Sequence, residues 1–168
     1  LDHGLESGPQ HWEFVMAAFG TVFMPQMALA QYDNGAWSQT EIVSSSSLTL
    51  HPGAHVLHYS STCFEGLKAF RHADGSVNIF RMDANIERMV QSSQLLNLPA
   101  IDKAQLKQMI IDVVARFKDD VPETPGSMYI RPTHIGTEAA IGKAAAPTES
   151  SLLYVLLSPV GDYFAGGG

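Results

Sequence analysis

The stretch SLLYVLLSPV, residues 151–160, is a strongly apolar run of ten residues and carries the prediction of the fold. Its apolar side chains fall on both faces of an extended chain, which is typical of a strand in the middle of a sheet. The stretch SMYIRPTHIG, residues 127–136, predicts a second strand. Its alternation puts Tyr129, Arg131 and Thr133 on one face, because side chains of a strand point to opposite sides in turn.

The N-terminal half predicts strands joined by tight turns. An apolar run at residues 27–32 is followed by an Asp-Asn-Gly turn and a return strand around 36–43. A second pair consists of a strand around 64–71 and a partner strand at 76–80, joined by an Ala-Asp-Gly turn. The segment between the two pairs contains a Pro-Gly turn and no regular helix is expected there.

Two helices are predicted between the groups of strands, because the apolar period there changes to three or four residues. The first begins with Asp83 as N-cap and ends near Pro99, and the second begins with Asp102 as cap. The apolar faces consist of Met82, Ile86, Met89, Ser93 and Leu96 in the first helix and of Leu106, Met109, Ile110, Val113, Val114 and Phe117 in the second. Strands, two helices and strands again predict an α+β fold, a two-layer sandwich of a mostly antiparallel sheet with two packed helices.

Composition narrows the classes of function. The chain has 168 residues, 45% hydrophobic and 16% charged, which is enough to bury a core. Its 17 acidic and 10 basic residues give a formal charge of −7, which disfavours nucleic acid and anionic membrane surfaces as partners. No apolar run reaches the roughly 18 residues of a membrane helix. The single cysteine forms no internal disulfide, and a soluble, cytoplasmic protein is expected.

Two clusters invite a catalytic interpretation that the sequence does not support. His51, His55 and His58 have the spacing of metal ligands on a helix, but Pro52 and Gly53 argue against a regular helix and no carboxylate partner sits at the required offset. We therefore expect no metal-binding site.

The stretch HYSSTCFEGLKAF, residues 58–70, contains Cys63 and Lys68, two potential covalent catalysts. An apolar neighbourhood favours a buried, protonated thiol at Cys63. Alternation also puts Cys63 and Lys68 on opposite faces of the strand, so they are not expected to act together.

Two arginines are better candidates. Arg88 flanks the apolar stripe of the first helix, and its guanidinium could contact a phosphate at the edge of a cleft. Arg131 lies beside Tyr129 on one strand face, where the pair could line a pocket for a carboxylate. A surface position for Arg88 and an edge-strand ion pair for Arg131 remain the alternatives.

Six stretches in order resemble the N-terminal domain of a branched-chain amino acid aminotransferase, a fold type IV enzyme that depends on pyridoxal 5′-phosphate. They are FGTVF (19–23), LTLHPGAHVLHY (48–59), CFEGLKAFR (63–71), NIERM (85–89), MYIRPTHIGTE (128–138) and LLYVLLSPVGDYF (152–164). The resemblance covers nearly the whole chain. It implies a small N-terminal α+β domain at residues 1–160 and the start of an interdomain linker at 161–168.

The resemblance also implies the chemistry. In this family a lysine of the C-terminal domain forms the Schiff base with the cofactor, and the amino group of leucine, isoleucine or valine passes to 2-oxoglutarate. That lysine is expected beyond Gly168, in a domain absent from this chain, so the fragment alone is expected to be inactive. Arg88 matches the arginine that binds the cofactor phosphate.

The substrate residues follow from the same resemblance. The residues that match the walls of the aliphatic pocket are Phe19, Tyr59 and Phe64. Tyr129 and Arg131 match the polar rim that accommodates the second carboxylate of glutamate.

The loop with Ile141 and Lys143 matches a segment that reaches into the pocket of the partner subunit, which implies a homodimer. A role in branched-chain amino acid metabolism is expected, and biosynthesis and degradation remain the alternatives. The alternative is a free-standing, non-catalytic module that binds a small carboxylate through Arg131 or mediates dimerisation.

Overall fold

The computed structural model describes residues 19–144 and 146–161. Within these residues eight strands form one sheet in which every pairing is antiparallel. The strands are β1 (Gln26–Asp33), β2 (Ala36–Trp37), β3 (Glu41–Ser44), β4 (Thr62–Phe64), β5 (Leu67–Arg71), β6 (Val77–Ile79), β7 (Ser127–Gly136) and β8 (Ser151–Val160). The main path has the order β2-β1-β8-β7-β5-β6, with β3 beside β1 and β4 beside β7.

The centre of the sheet is the pair β7 and β8, which are in register over all ten residues of each strand. Strand β1 pairs with the other side of β8, so the central position predicted for residues 151–160 is confirmed. Both predicted N-terminal strand pairs also form.

The strand predicted around 64–71 is divided at Glu65 and Gly66 into β4 and β5, and both parts pair with β7. The register continues across the division, because Phe64 lies opposite Thr133 and Leu67 opposite Ile130. The alternation of faces is therefore kept, with Cys63 buried and Phe64 exposed.

The described residues contain helices α1 (His55–Tyr59), α2 (Met82–Leu95) and α3 (Lys103–Arg116), and a short 3-10 helix at Lys118–Asp120. The prediction of Asp102 as a cap is confirmed, since its carboxylate accepts hydrogen bonds from the backbone of Ala104 and Gln105. The prediction of Asp83 as a cap is wrong. Arg81, with a left-handed backbone, precedes α2, and Asp83 lies inside the helix, where its carboxylate pairs with Lys107.

Helix α1 departs from the sequence prediction, in which Pro52 and Gly53 exclude a regular helix. These two residues precede the helix, so they do not interrupt its hydrogen bonds, and Ser60 ends it in a left-handed conformation. Among the described residues, no helix combines the length and the apolar content needed to cross a bilayer.

The core lies between one face of the sheet and helices α2 and α3. Its largest fully buried members include Met89, Leu106, Met109, Ile110, Met128, Ile130, Leu153 and Leu157. The predicted two-layer α+β architecture is thus confirmed. The opposite face of β7 and β8, which carries Tyr129 and Arg131, is not covered by these helices and forms the floor of the site.

Candidate functional site

A cleft of about 310 Å³ lies on this open face of the sheet. Four of the five residues predicted to contact substrate line it, namely Phe19, Phe64, Tyr129 and Arg131. They come from the start of the described chain, from β4 and from β7, and the antiparallel pairing of β4 with β7 brings them together. Five of the lining side chains are aromatic, and Arg131 is the cation among them.

The Arg131 guanidinium is held by aromatic side chains rather than by a carboxylate. Its carbon lies 4.2 Å from the ring centroid of Phe64, a distance at which a cation is attracted to the ring. Its Nε and Nη2 donate hydrogen bonds of 3.0 and 2.7 Å to the hydroxyl of Tyr129. Phe19 meets the Tyr129 ring edge-on at 4.9 Å. The cation keeps N–H donors for a ligand, since a guanidinium has five.

The alternative of an edge-strand ion pair for Arg131 is wrong. Strand β7 is interior, with β8 on one side and β4 and β5 on the other. None of the ion pairs formed between described residues includes Arg131.

A second cleft of about 360 Å³ contains Arg88, together with the cations Lys68 and Arg81. Arg88 forms a two-pronged pair with Glu65, from Nε to Oε1 at 2.8 Å and from Nη2 to Oε2 at 2.9 Å. Asn85 also donates to Oε2 at 2.9 Å. Burial alone would raise the pKa of Glu65, but the hydrogen bonds from Arg88 and Asn85 outweigh it and lower that pKa. Glu65 is therefore an ionised anchor that orients Arg88.

The ion pair with Glu65 leaves the Arg88 guanidinium available to a ligand. Its side chain is 58% exposed whereas that of Glu65 is 13% exposed. The pair occupies two of the five guanidinium N–H groups, so three still point away from Glu65.

Tyr129 lines both clefts and separates them. Its position depends on Gly66, where a Cβ would lie 2.2 Å from the Tyr129 hydroxyl oxygen.

Glu65 and Gly66 were missed as functional residues by the sequence analysis, although both lie in the quoted stretch 58–70. Tyr154, which also lines the Arg131 cleft, was missed as well. The alternation along β8 could have revealed it, because Tyr154 lies on the same strand face as Leu156, another residue of this cleft.

The structure does not bring Tyr59, the fifth predicted substrate residue, into the Arg131 cleft. Tyr59 ends α1, and its hydroxyl donates a hydrogen bond to the backbone carbonyl of Ile141. Tyr59, Ile141 and Lys143 thus form a separate group of predicted residues. Ile141 is 69% exposed, so its apolar side chain is available to another surface. The ammonium of Lys143 lies 2.5 Å from Glu138.

The histidines and the cysteine have structural roles. His55 shares a hydrogen bond of 2.8 Å with Ser61, and His58 contacts the Pro52 carbonyl. In residues 19–144 and 146–161 no three or more His, Cys, Asp or Glu side chains are grouped so that they could hold a metal ion. Burial raises the pKa of the Cys63 thiol, as expected for a packed, protonated side chain.

A chain of buried polar groups joins α2 to the sheet. Ser93 of α2 contacts the sulfur of Cys63 at 3.3 Å and Nδ1 of His134 at 3.0 Å. Nε2 of His134 lies 2.8 Å from the hydroxyl of Ser151. Burial lowers the pKa of His134 to about 4, so the ring is neutral at ordinary pH. The helix that carries Arg88 is in this way tied to the strand that carries Arg131.

Comparison with known proteins identifies similar chains. No family model matches the sequence. The chain is 44% identical over 151 residues to the cytosolic branched-chain-amino-acid aminotransferase of Ovis aries, covering 89% of this chain and 39% of that protein. It is 40% identical over 157 residues to the mitochondrial enzyme of Schizosaccharomyces pombe, covering 92% of this chain and 36% of that protein. The chain therefore spans less than half the length of these curated relatives.

Solved structures agree with the sequence comparison. The T.th. branched-chain amino acid aminotransferase with pyridoxamine 5′-phosphate superimposes with a TM-score of 0.61 at 26% identity, over 84% of this chain and 43% of that chain. The same enzyme with N-(5′-phosphopyridoxyl)-L-glutamate gives a TM-score of 0.57 at 27% identity, over 78% of this chain and 40% of that chain. In sequence and in fold, this chain resembles part of a branched-chain aminotransferase.

Proposed function

We propose that this chain is the N-terminal domain of a branched-chain amino acid aminotransferase. The complete protein transfers the amino group of leucine, isoleucine or valine to 2-oxoglutarate with pyridoxal 5′-phosphate. The identity of 44% to an aminotransferase over 89% of the chain supports this reaction class. Since the chain spans 39% of that relative, the activity is proposed for the full-length protein.

The observation that carries the proposal is the position of Arg131 in a cleft walled by aromatic rings. Phe19 and Phe64 offer apolar surface to a branched aliphatic side chain. Arg131, with its hydroxyl partner Tyr129, offers donors to the second carboxylate of glutamate. One cleft therefore suits both substrates of the reaction.

The residues of the second cleft fit the phosphate of the cofactor. Arg88 is oriented by Glu65, keeps three N–H donors and shares its cleft with Lys68 and Arg81, which supply further positive charge. When bound, pyridoxal phosphate supplies an electron sink that stabilises negative charge on the substrate α-carbon. The domain itself binds the phosphate and orients the substrate.

We further propose a homodimer located in the cytoplasm. The exposed Ile141, supported by the hydroxyl of Tyr59, suits a contact with the partner subunit, and Tyr59 and Lys143 belong to the same contact. Cytosolic and mitochondrial enzymes both occur among the relatives. The single, buried and free cysteine fits a reducing compartment, and the cytoplasm is the one we propose.

The proposal is tested by assaying the full-length protein with leucine and 2-oxoglutarate. We expect glutamate and the branched-chain 2-oxo acid to form in equal amounts and to depend on pyridoxal phosphate. Leucine, isoleucine and valine should all be accepted, and alanine and aspartate should react at least about tenfold more slowly, because they bury little or no aliphatic surface. If no branched-chain amino acid is a donor, the assignment is wrong.

A further inference from the structure

The connection between β7 and β8 is held by the carboxylate of Glu138, which lines neither of the two clefts described above. The connection starts at Thr137 and returns at Ser150, whose backbones are joined by a hydrogen bond of 2.9 Å. Between them lies Ile141, which is exposed and sits in a turn two residues after an isolated β-bridge of Ala139 with Ala54. An exposed loop with an apolar side chain needs other contacts to hold one conformation.

Glu138 provides those contacts with both of its carboxylate oxygens. Oε1 accepts from Nζ of Lys143 at 2.5 Å, and Oε2 accepts from the backbone N–H of Glu149 at 3.0 Å. The first bond fixes the segment just after Ile141, and the second fixes the returning end of the loop. The Glu138 side chain is only 18% exposed, so these charge-assisted bonds are partly shielded from water.

The backbone of Glu138 holds the loop against α1 at the same time. Its carbonyl accepts a hydrogen bond of 2.8 Å from the N–H of His55, and the neighbouring Ala140 N–H donates to Gly53 at 3.1 Å. The Tyr59 hydroxyl then reaches the Ile141 carbonyl. Glu138 thus contacts α1 through its backbone carbonyl and closes the loop through its side-chain carboxylate.

The other acidic neighbour of Lys143 contributes less. Glu149 approaches Lys143 at 3.4 Å and its side chain is 81% exposed, whereas Glu138 approaches at 2.5 Å. Exposed ion pairs at such distances are weak and are screened by salt. Hydrogen bonds from Lys143 and from the Glu149 backbone lower the pKa of Glu138, in agreement with a carboxylate that is ionised in the folded protein.

We propose that Glu138 is a positioning residue that sets the conformation of the loop carrying Ile141. This inference rests on the proposed function only where it concerns substrate, because the resemblance to the aminotransferases is what implies that the loop reaches the partner subunit's pocket. Replacing the carboxylate by an amide keeps one acceptor but removes the charge that holds Lys143. Ile141 then loses its fixed position, and binding of the aliphatic substrate weakens while cofactor binding, which uses Arg88, is retained.

The test compares Glu138→Gln with Glu149→Gln in the full-length protein, two identical chemical changes on the two carboxylates that flank Lys143. Hydrogen exchange of peptides from 138–150 should speed up about tenfold in the first variant and less than about twofold in the second. In Glu138→Gln the KM for leucine should rise several-fold, while kcat and cofactor content stay nearly unchanged. In Glu149→Gln the KM for leucine should not rise. Equal exchange in the two variants would overturn the proposal.

Two further measurements separate the possible outcomes. Lys143→Met removes the ammonium but leaves the Glu149 N–H bond, so we expect an intermediate rise in exchange. This variant also tests the proposal if Glu138→Gln fails to fold. Faster exchange in Glu138→Gln in a protein that has no activity with leucine would support the positioning role and reject the proposed function.

Discussion

The hydroxyl of Tyr129 occupies the space that a side chain on residue 66 would need, because a Cβ on Gly66 would lie 2.2 Å from it and 2.9 Å from the ring carbon that carries it. Tyr129 can therefore stand between the two clefts only because residue 66 is a glycine and has no side chain. Tyr129 in turn accepts two hydrogen bonds from Arg131, so a change at Gly66 reaches the cation of the substrate cleft.

Gly66→Ala is expected to destabilise the protein by about 1–3 kcal/mol, the usual cost of overpacking. Removing the hydroxyl as well, in Gly66→Ala with Tyr129→Phe, should recover part of that loss, since the shortest contact disappears. Urea unfolding measures both effects. Gly142→Ala is the matched control, because a Cβ there meets no atom within 4 Å. Equal losses at Gly66 and Gly142 would contradict the close contact.

Arg131→Met should raise the KM for 2-oxoglutarate about 10- to 100-fold, the loss expected when hydrogen bonds to a charged group, worth about 1.5–3 kcal/mol, are removed. The KM for leucine should change several-fold at most, because the methionine stem keeps the apolar wall. Steady-state kinetics with both substrates give the comparison. Arg116→Met on α3, whose guanidinium contacts Gln26, serves as the control. A similar rise for both substrates would remove Arg131 from the carboxylate role.

Arg88→Ala is expected to weaken retention of pyridoxal phosphate by at least about tenfold, because it removes a charge-assisted contact to phosphate and leaves the Glu65 carboxylate without its cation. Glu65→Gln should have a smaller effect, since the guanidinium remains but is less well oriented. Cofactor content after gel filtration measures both. Lys107→Met, which breaks the surface pair with Asp83, should retain the cofactor fully. Full retention in Arg88→Ala would show that another residue binds the phosphate.

Because His134 is buried and its pKa is lowered, we expect the protein to lose stability in mild acid. The pKa of His134 is about 4 in the folded protein against 6.5 for the free side chain, so between these values the unfolded chain binds a proton that the folded protein does not. The free energy of unfolding therefore falls as pH drops from 6.5 to 4, by about 3–4 kcal/mol at most at 1.36 kcal/mol per pKa unit. Urea midpoints across this range measure the slope.

His134→Gln should flatten that slope, because the amide cannot take up the proton, even if the variant is less stable at neutral pH. An unchanged slope in His134→Gln would mean that other groups cause the acid sensitivity.

Local patterns in the sequence were sufficient for the main elements of the fold. The alternation in residues 127–136 placed Tyr129 and Arg131 on one face, and Asp102 marked the start of α3 because capping is a contact between near neighbours. Asp83 was misassigned as a cap because the chain enters α2 through the left-handed Arg81, a conformation that a periodicity argument does not anticipate.

Contacts between distant residues could not be predicted in this way. Arg88 and Glu65 are 23 positions apart, and Tyr59 and Ile141 are 82 apart, so only the folded sheet and helices bring each pair together. The resemblance assigned Tyr59 to the same pocket wall as Phe64, and the sequence held no sign that its hydroxyl donates to the Ile141 carbonyl. Glu65 was missed as the anchor of Arg88 for the same reason.

The hydrogen bonds that join Ser93, His134 and Ser151 have a consequence for which ligands the protein can accept. They hold the helix of Arg88 and the strand of Arg131 at one spacing, and all three side chains are buried. A molecule that spans the two cations must therefore match a length that the protein interior determines. Surface substitutions alter how tightly such a molecule is held, whereas a change in its length requires repacking around His134.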